Sequence, residues 1–187
     1  MISGKFPAMT ATSSSLLASV SPSPDALATG WDYPSPHCLS VSPRPEDIDG
    51  LNHTNNAVYV RWCEQVGWSH SVALGLDIED YRRLDRAMAI RHGGYDYLLP
   101  SFEGEALVLG TWLTGGDGRL AMERRFQLRR VSDGQTLMRG RWELVCIDIS
   151  AGRPRRMPPE FVAAYQAAVV GAPADSRPSP SGGEQLA

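Results

Sequence analysis

Apolar positions along this chain recur at two different periods. From residue 54 onward Val58, Trp62, Val66 and Ala73 fall on one stripe with Tyr59 and Cys63 one step round, the spacing of a helix that buries one face. With Thr54 as its N-cap and Gly75 as its stop, that helix is expected to run to about Leu74. Beyond a polar helical turn around 77–83 the period drops to two. Residues 119–130 place Leu120, Met122, Phe126 and Leu128 on one side and Arg119, Glu123, Arg125, Gln127 and Arg129 on the other, with Arg124 the one violation. Residues 136–149 alternate likewise, Met138, Trp142, Leu144 and Cys146 standing opposite Arg139, Arg141 and Glu143.

Turn chemistry sets the remaining boundaries. A first strand over 37–42 ends at Pro43-Arg44-Pro45, because those prolines remove ladder donors. A strand over 87–99 stops at Pro100, and one over 105–114 is closed by Gly115-Gly116-Asp117-Gly118. Ser132-Asp133-Gly134 forms the next hairpin, and Pro158-Pro159 opens a short helix through about Val169. One apolar helix after the first strand, followed by four successive antiparallel strands, is the order of an α+β unit in which a curved sheet wraps the helix.

Composition sets the limits of that unit. Residues 1–34 and 171–187 are rich in Ser, Pro, Ala and Thr without apolar periodicity and are expected to be disordered, leaving a folded domain over 35–170. The 187 residues, 42% hydrophobic and 21% charged, suffice for one sizeable core. A net charge of -3 gives no general attraction to nucleic acid or anionic membrane, so a phosphate-bearing ligand needs a local basic patch. Three widely spaced cysteines, Cys38, Cys63 and Cys146, support neither a disulfide framework nor a zinc site and fit a reduced, cytoplasmic setting. The run Leu16-Leu17-Ala18-Ser19-Val20 is too short for a membrane span and poor as a secretory segment.

The chemistry concentrates in Asp47-Ile48-Asp49-Gly50-Leu51-Asn52-His53-Thr54-Asn55-Asn56-Ala57-Val58-Tyr59, where carboxylates, an imidazole and amides share one turn before the apolar helix. The order Asp-x-Asp-x-x-x-His-x-Asn-Asn-x-x-Tyr resembles the signature of the hot-dog-fold thioesterases, a group that includes 4-hydroxybenzoyl-CoA thioesterases, YbgC-like acyl-CoA thioesterases and acyl-ACP thioesterases. The segments 92–100 and 152–158 resemble the same family, so the likeness covers roughly 37–165. It implies a hot-dog fold, in which a curved antiparallel sheet of about five strands wraps one long central helix. It also implies a cofactor-independent acyl-CoA thioesterase that works as a homodimer or a dimer of dimers (homotetramer), its sheets paired edge to edge and its active sites shared.

Within that resemblance Asp49 stands where the thioesterases carry their acid, and it would act as general base on water or attack the thioester carbonyl directly. The alternative is that Asp47 and Asp49 only shape the turn beside Gly50. His53 would orient the acid, donate to the carbonyl or act as a base. The amide at Asn56 would bind the developing oxyanion, with Asn55 beside it; a capping role for both Asn side chains is compatible with this. Tyr59 reads as pocket wall, and Glu64 as a helix residue, although some hot-dog thioesterases place their acid there. Arg153, Arg155 and Arg156 would hold the phosphates of CoA or remain a solvated basic turn.

In the acyl-ACP enzymes an Asn stands two residues before the motif His; here that position is Leu51, which favours acyl-CoA over an acyl-carrier thioester. Gly67-Trp68-Ser69-His70-Ser71 lacks the second Gly of a nucleophile elbow and lies within the expected helix, so it does not mark a serine hydrolase. A hot-dog dehydratase or hydratase and a non-catalytic acyl-CoA-binding protein are the other functions open to such a chain.

Overall fold

The computed structural model describes residues 27–171. In chain order it contains β1 (His37–Val41), a 3₁₀ turn (Pro45–Asp47), α1 (Asn56–Ala73), α2 (Ile78–Leu84), β2 (Arg86–Tyr97), β3 (Leu107–Gly116), β4 (Ala121–Arg130), β5 (Thr136–Asp148) and α3 (Pro159–Ala167). The five strands form one antiparallel sheet in the order β1-β3-β4-β5-β2, so β1 and β2 are its edges. This is the α+β hot-dog arrangement, with α1 laid against the sheet.

The 18-residue α1 buries Val58, Trp62 and Val66 on one row and Tyr59, Cys63, Gly67 and Ser71 on the next, the i, i+4 rows of a helix that presents one stripe to a core. Ala73 is exposed, because the buried stripe runs from Gly67 and Ser71 to Leu74, which packs against the core, and on to Leu76. The N-cap is Asn55 instead of Thr54: the Asn55 side chain accepts from the Ala57 N–H at 2.9 Å, whereas the Thr54 side chain is drawn into the interior. Gly75 closes the helix at a φ of 84°, a conformation that favours glycine.

On the sheet face beneath α1 lie Leu107, Leu109, Leu113, Met122, Phe126, Leu128, Trp142 and Leu144. Tyr81 of α2 and Phe161 and Tyr165 of α3 seal one end of that core through ring contacts of 4.7 and 5.7 Å.

The opposite sheet face departs from the expected polar alternation. Gln127 is fully buried and Arg129 nearly so. They are covered by residues 27–36, eight of which belong to the stretch expected to be disordered. Trp31 sits under the Arg129 guanidinium at 5.0 Å and against Trp112 at 5.8 Å. Gln127 bonds to the Asp32 N–H and the Gly30 carbonyl, and Asp32 pairs with Arg139 at 2.6 Å. Composition alone does not register this strap, because two aromatic rings, Trp31 and Tyr33, and the Asp32 carboxylate are enough to anchor it on Trp112, Arg129 and Arg139 of the sheet beneath. The rest of the expected disordered ends, residues 1–26 and 172–187, lies outside the described residues.

If the strap is part of the fold, Trp31→Ala should lower the unfolding free energy by about 2 kcal/mol, from lost burial and the lost cation–π contact. Urea denaturation followed by tryptophan fluorescence measures it, and a change within error of zero would show the strap to be dispensable.

Candidate active site

The chain between the 3₁₀ turn and α1 is folded back on itself. Ile48 and Thr54 form a bridge, the Asp49 N–H donates to the His53 carbonyl at 2.8 Å, and Asn52 takes a φ of 63°, a left-handed conformation that Asn tolerates. Asp49 anchors this turn. Its Oδ1 accepts from the Leu51 N–H at 2.8 Å and the His53 N–H at 3.3 Å, while Oδ2 makes no hydrogen bond among the described residues. The structural and chemical readings of Asp49 are therefore compatible: one oxygen holds the turn and the other is left unengaged.

Asp47 has a purely structural setting. It is buried, accepts from the Arg44 N–H at 3.0 Å and pairs with Arg61 of α1 at 2.5 Å. The Arg44 N–H, followed by the Arg61 guanidinium, holds its carboxyl below the usual carboxylate range against the opposing effect of burial.

At the other side, Thr54 and Tyr59 close on Ser101, in the loop after β2. The Ser101 carbonyl accepts from the Thr54 N–H at 2.9 Å and from its hydroxyl at 3.0 Å. The Ser101 hydroxyl lies 2.7 Å from Thr54 Oγ1 and 2.9 Å from the Tyr59 hydroxyl, which accepts from the Ser101 N–H at 3.2 Å. This closed set fastens the first turn of α1 to the end of β2.

Between these anchors lies an open cleft of about 420 Å³ lined by Asp49, His53, Asn55, Asn56, Tyr59 and the run 97–100. Leu98 and Leu99 are exposed there, and the His53 ring stands edge-on to Phe102 at 5.3 Å. The Asn56 N–H, at the first position of α1, has no acceptor among the described residues and adds the positive end of the helix dipole. A carboxylate, an imidazole and a free helical amide thus meet at one concave surface, which suits attack on a carbonyl whose oxygen gains charge.

Glu64, read as a helix residue, and the three expected CoA-binding arginines lie elsewhere. Glu64 is exposed, eight residues beyond Asn56 and so about 12 Å along the helix. Arg153, Arg155 and Arg156 are exposed after β5, whose end pairs with the start of β2 at Arg86, whereas the cleft adjoins the end of β2 at Tyr97. The 12 residues of that strand span about 36 Å at about 3.3 Å each, so one protomer does not bring its arginines to its own cleft. Ser101 and Phe102 were not singled out by the sequence, since a lone Ser-Phe pair after Pro100 carries no periodic signal. Among the described residues there is no cluster of three or more metal-ligating side chains, and no helix is long and apolar enough to cross a membrane.

Because the folded-state pKa of Asp47 is depressed, its stabilisation is fully present above the ordinary carboxylate pKa of about 3.9 and is lost as pH falls through the folded value. Asp47→Asn should therefore lose stability at pH 7, and should lose less of its remaining stability than the wild type on titration from about pH 5 to pH 3. Thermal melts across that window test this; parallel pH profiles for the two proteins would contradict it.

The family model of the thioesterase-like superfamily matches residues 43–165. Solved structures share the fold at low identity. A 1,4-dihydroxy-2-naphthoyl-CoA thioesterase from Synechocystis is 16% identical, with 71% of this chain and 96% of that chain covered at a TM-score of 0.64. A DHNA-CoA thioesterase from Staphylococcus aureus is 20% identical over 70% of this chain and 88% of that one, also at 0.64. A hypothetical protein from Staphylococcus aureus, solved in complex with CoA, is 17% identical over 85% of this chain and 99% of that one, at 0.66. No curated protein matches the sequence. The chain belongs to the thioesterase-like superfamily, and thioester hydrolysis is the reaction class that membership assigns to it.

Proposed function

We propose that the chain hydrolyses an acyl-CoA thioester to a free carboxylic acid and CoA, with Asp49 as general base or nucleophile and the Asn56 N–H as the principal oxyanion donor. The observation that carries this reading is the convergence of Asp49, His53, Asn55, Asn56 and Tyr59 on one cleft at the start of α1. As a base, Asp49 takes a proton from water, and the resulting hydroxide adds to the thioester carbonyl. The oxyanion of the tetrahedral intermediate is held at the helix N-terminus until it collapses, expelling the CoA thiolate, which takes up a proton. As a nucleophile, Asp49 displaces the thiolate itself, and water then hydrolyses the acyl-aspartyl anhydride. His53, anchored through its backbone to Asp49, positions the carboxylate or the carbonyl. The CoA ligand and the CoA-thioesterase names carried by the structural relatives favour a CoA ester over a carrier-protein thioester.

A dimer in cytoplasmic solution completes the site. β2 has one sheet neighbour, and its residues 91–93 are exposed, so its other edge is open to a second copy. Two-fold antiparallel pairing of β2 with its counterpart sets the start of one strand beside the end of the other. Arg153, Arg155 and Arg156 of the partner subunit then approach the cleft that a protomer's own arginines do not reach, and supply cations for the CoA phosphates. A dimer of dimers would keep this pairing.

In a thiol-release assay over a range of acyl-CoA chain lengths, Asp49→Asn should lower kcat by about 10²–10⁴ with the protein still folded. Turnover within a few-fold of wild type would remove Asp49 from the chemistry and make Glu64 the candidate.

Replacing Arg153, Arg155 and Arg156 together with Ala should raise KM several-fold at low salt with kcat little changed, because those contacts stabilise ground and transition states alike. The effect should shrink as salt is added. Unaltered kinetics, or an active monomer by light scattering, would contradict the shared site.

A further inference from the structure

One buried cation has no role in the cleft. Arg124 of β4 is 2% exposed, on the face that packs against α1, and no carboxylate among the described residues comes within 4.0 Å of it. Its Nη1 reaches His70 Nδ1 at 3.1 Å and Thr111 Oγ1 at 3.3 Å, both neutral acceptors, while Nε and Nη2 have no acceptor among the described residues. Burial, with the charges of Arg124 and His37 adding to it, pushes His70 down to about 4, so at neutral pH this imidazole does not compete for a proton. Burial lowers Arg124 itself to about 10, which still leaves it charged at pH 7. A guanidinium kept charged without a counter-ion is a costly core residue, since a buried charge is ordinarily paired.

The unengaged side of Arg124 faces a cavity of about 100 Å³ between α1 and the β2, β5 and β4 strands. Apart from Arg124, the walls are mainly apolar, with Met88, Met122, Trp142 and Leu144 on the sheet side and Gly67 on the helix. Gly67 makes the room: a Cβ there would stand 3.9 Å from Arg124 Nε and 3.6 Å from the Trp142 ring. At the far wall the hydroxyls of Ser71, Tyr165 and Tyr81 form a chain, with 3.2 Å between the first two. Ile90 and Glu64, both exposed, line the cavity as well, and Glu64 remains beyond ion-pair distance of Arg124.

We propose that this cavity is a recognition subsite for a carboxylate on an apolar stem, with Arg124 as its cation. Taken together with the proposed function, the subsite selects acyl groups that carry a second carboxylate at their far end. From Asn56 to Gly67 is about 16 Å along α1, so the thioester and the distal carboxylate sit at separate points of one elongated ligand. A charged, bidentate-capable guanidinium distinguishes such a group from a methyl terminus or an alcohol far more sharply than an apolar wall does.

The binding step is tested without any thioester. Calorimetric titration of the full chain with octanoate, decanoate and dodecanoate, each against the alcohol of equal length, should give acids that bind about tenfold or more tightly than alcohols. In Arg124→Met that preference should vanish while the melting temperature stays equal or rises, because an unpaired buried charge is replaced by an apolar chain of similar length. Ile90→Trp, at an exposed position on the cavity wall, should also remove the preference by filling the space, and it serves if Arg124→Met does not fold. Equal binding of acids and alcohols by the wild type, or a preference that survives in these variants, overturns the subsite.

A second arm compares thiol release from the CoA half-thioester of dodecanedioic acid with that from dodecanoyl-CoA. The expected result is a kcat/KM advantage of about tenfold for the former that Arg124→Met abolishes. Carboxylate preference in calorimetry with no thiol release from either ester would leave the subsite standing and contradict the hydrolase reading instead. Thiol release that favours dodecanoyl-CoA would overturn the selection of doubly acidic substrates.

Discussion

The position of the first turn of α1 rests on one buried hydroxyl set. Thr54, Tyr59 and Ser101 satisfy one another within 2.7–3.2 Å, and Ser101 is fully buried. With the proton of the Thr54 hydroxyl on the Ser101 carbonyl, that of Tyr59 on Ser101 Oγ and that of Ser101 on Thr54 Oγ1, every hydroxyl proton has an acceptor. The set is therefore an asset to the core instead of a desolvation cost. Removing one member would leave its neighbours buried and unpaired, at about 1–3 kcal/mol. The Asn56 amide, the Asp49 turn and the 97–100 wall are separate pieces of chain, and this set holds them in one register. A site that must present a carboxylate and an amide to the same carbonyl needs that rigidity more than it needs any single contact.

Each face of the sheet holds a buried arginine, and the two are handled differently. Arg129 has its donors satisfied: its guanidinium bonds to the carbonyls of Thr29 and Gly134 and lies on the Trp31 ring. Arg124 on the helix face has only an imidazole nitrogen and a hydroxyl. The contrast shows what a satisfied interior arginine looks like in this fold, and it makes the incomplete shell of Arg124 a property of its site and not of buried arginines in general.

Much of this was legible in the chain because its periods are clean. The switch from spacing four to spacing two separates α1 from the strands, and the Gly and Pro punctuation places the hairpins within a residue or two of where they occur. The cleft draws on the Asp49-to-Tyr59 order, since seven of its lining residues come from that one continuous stretch. Arg124 was visible as the single break in the β4 alternation, a local conflict of the kind that marks special positions. Ser101 and the 27–36 strap were not legible. The first acts through contacts 42 and 47 residues away, the second through partners about a hundred residues away, and neither leaves a local pattern. The arginines after β5 were legible as a charge cluster, but the shared cleft proposed for them needs a second copy of the chain.

The proposed chemistry requires the thioester carbonyl to sit at the start of α1, between the Asn56 amide and the Asp49 carboxylate. A crystal structure with a non-hydrolysable acyl-CoA analogue, a methylene ketone in place of the thioester, tests it most directly. The expected complex has the ketone oxygen within hydrogen-bond distance of the Asn56 N–H and an Asp49 oxygen, or a water held by it, facing the carbonyl carbon. A ketone bound two turns along the helix beside Glu64, with the Asp49 cleft empty, would contradict it.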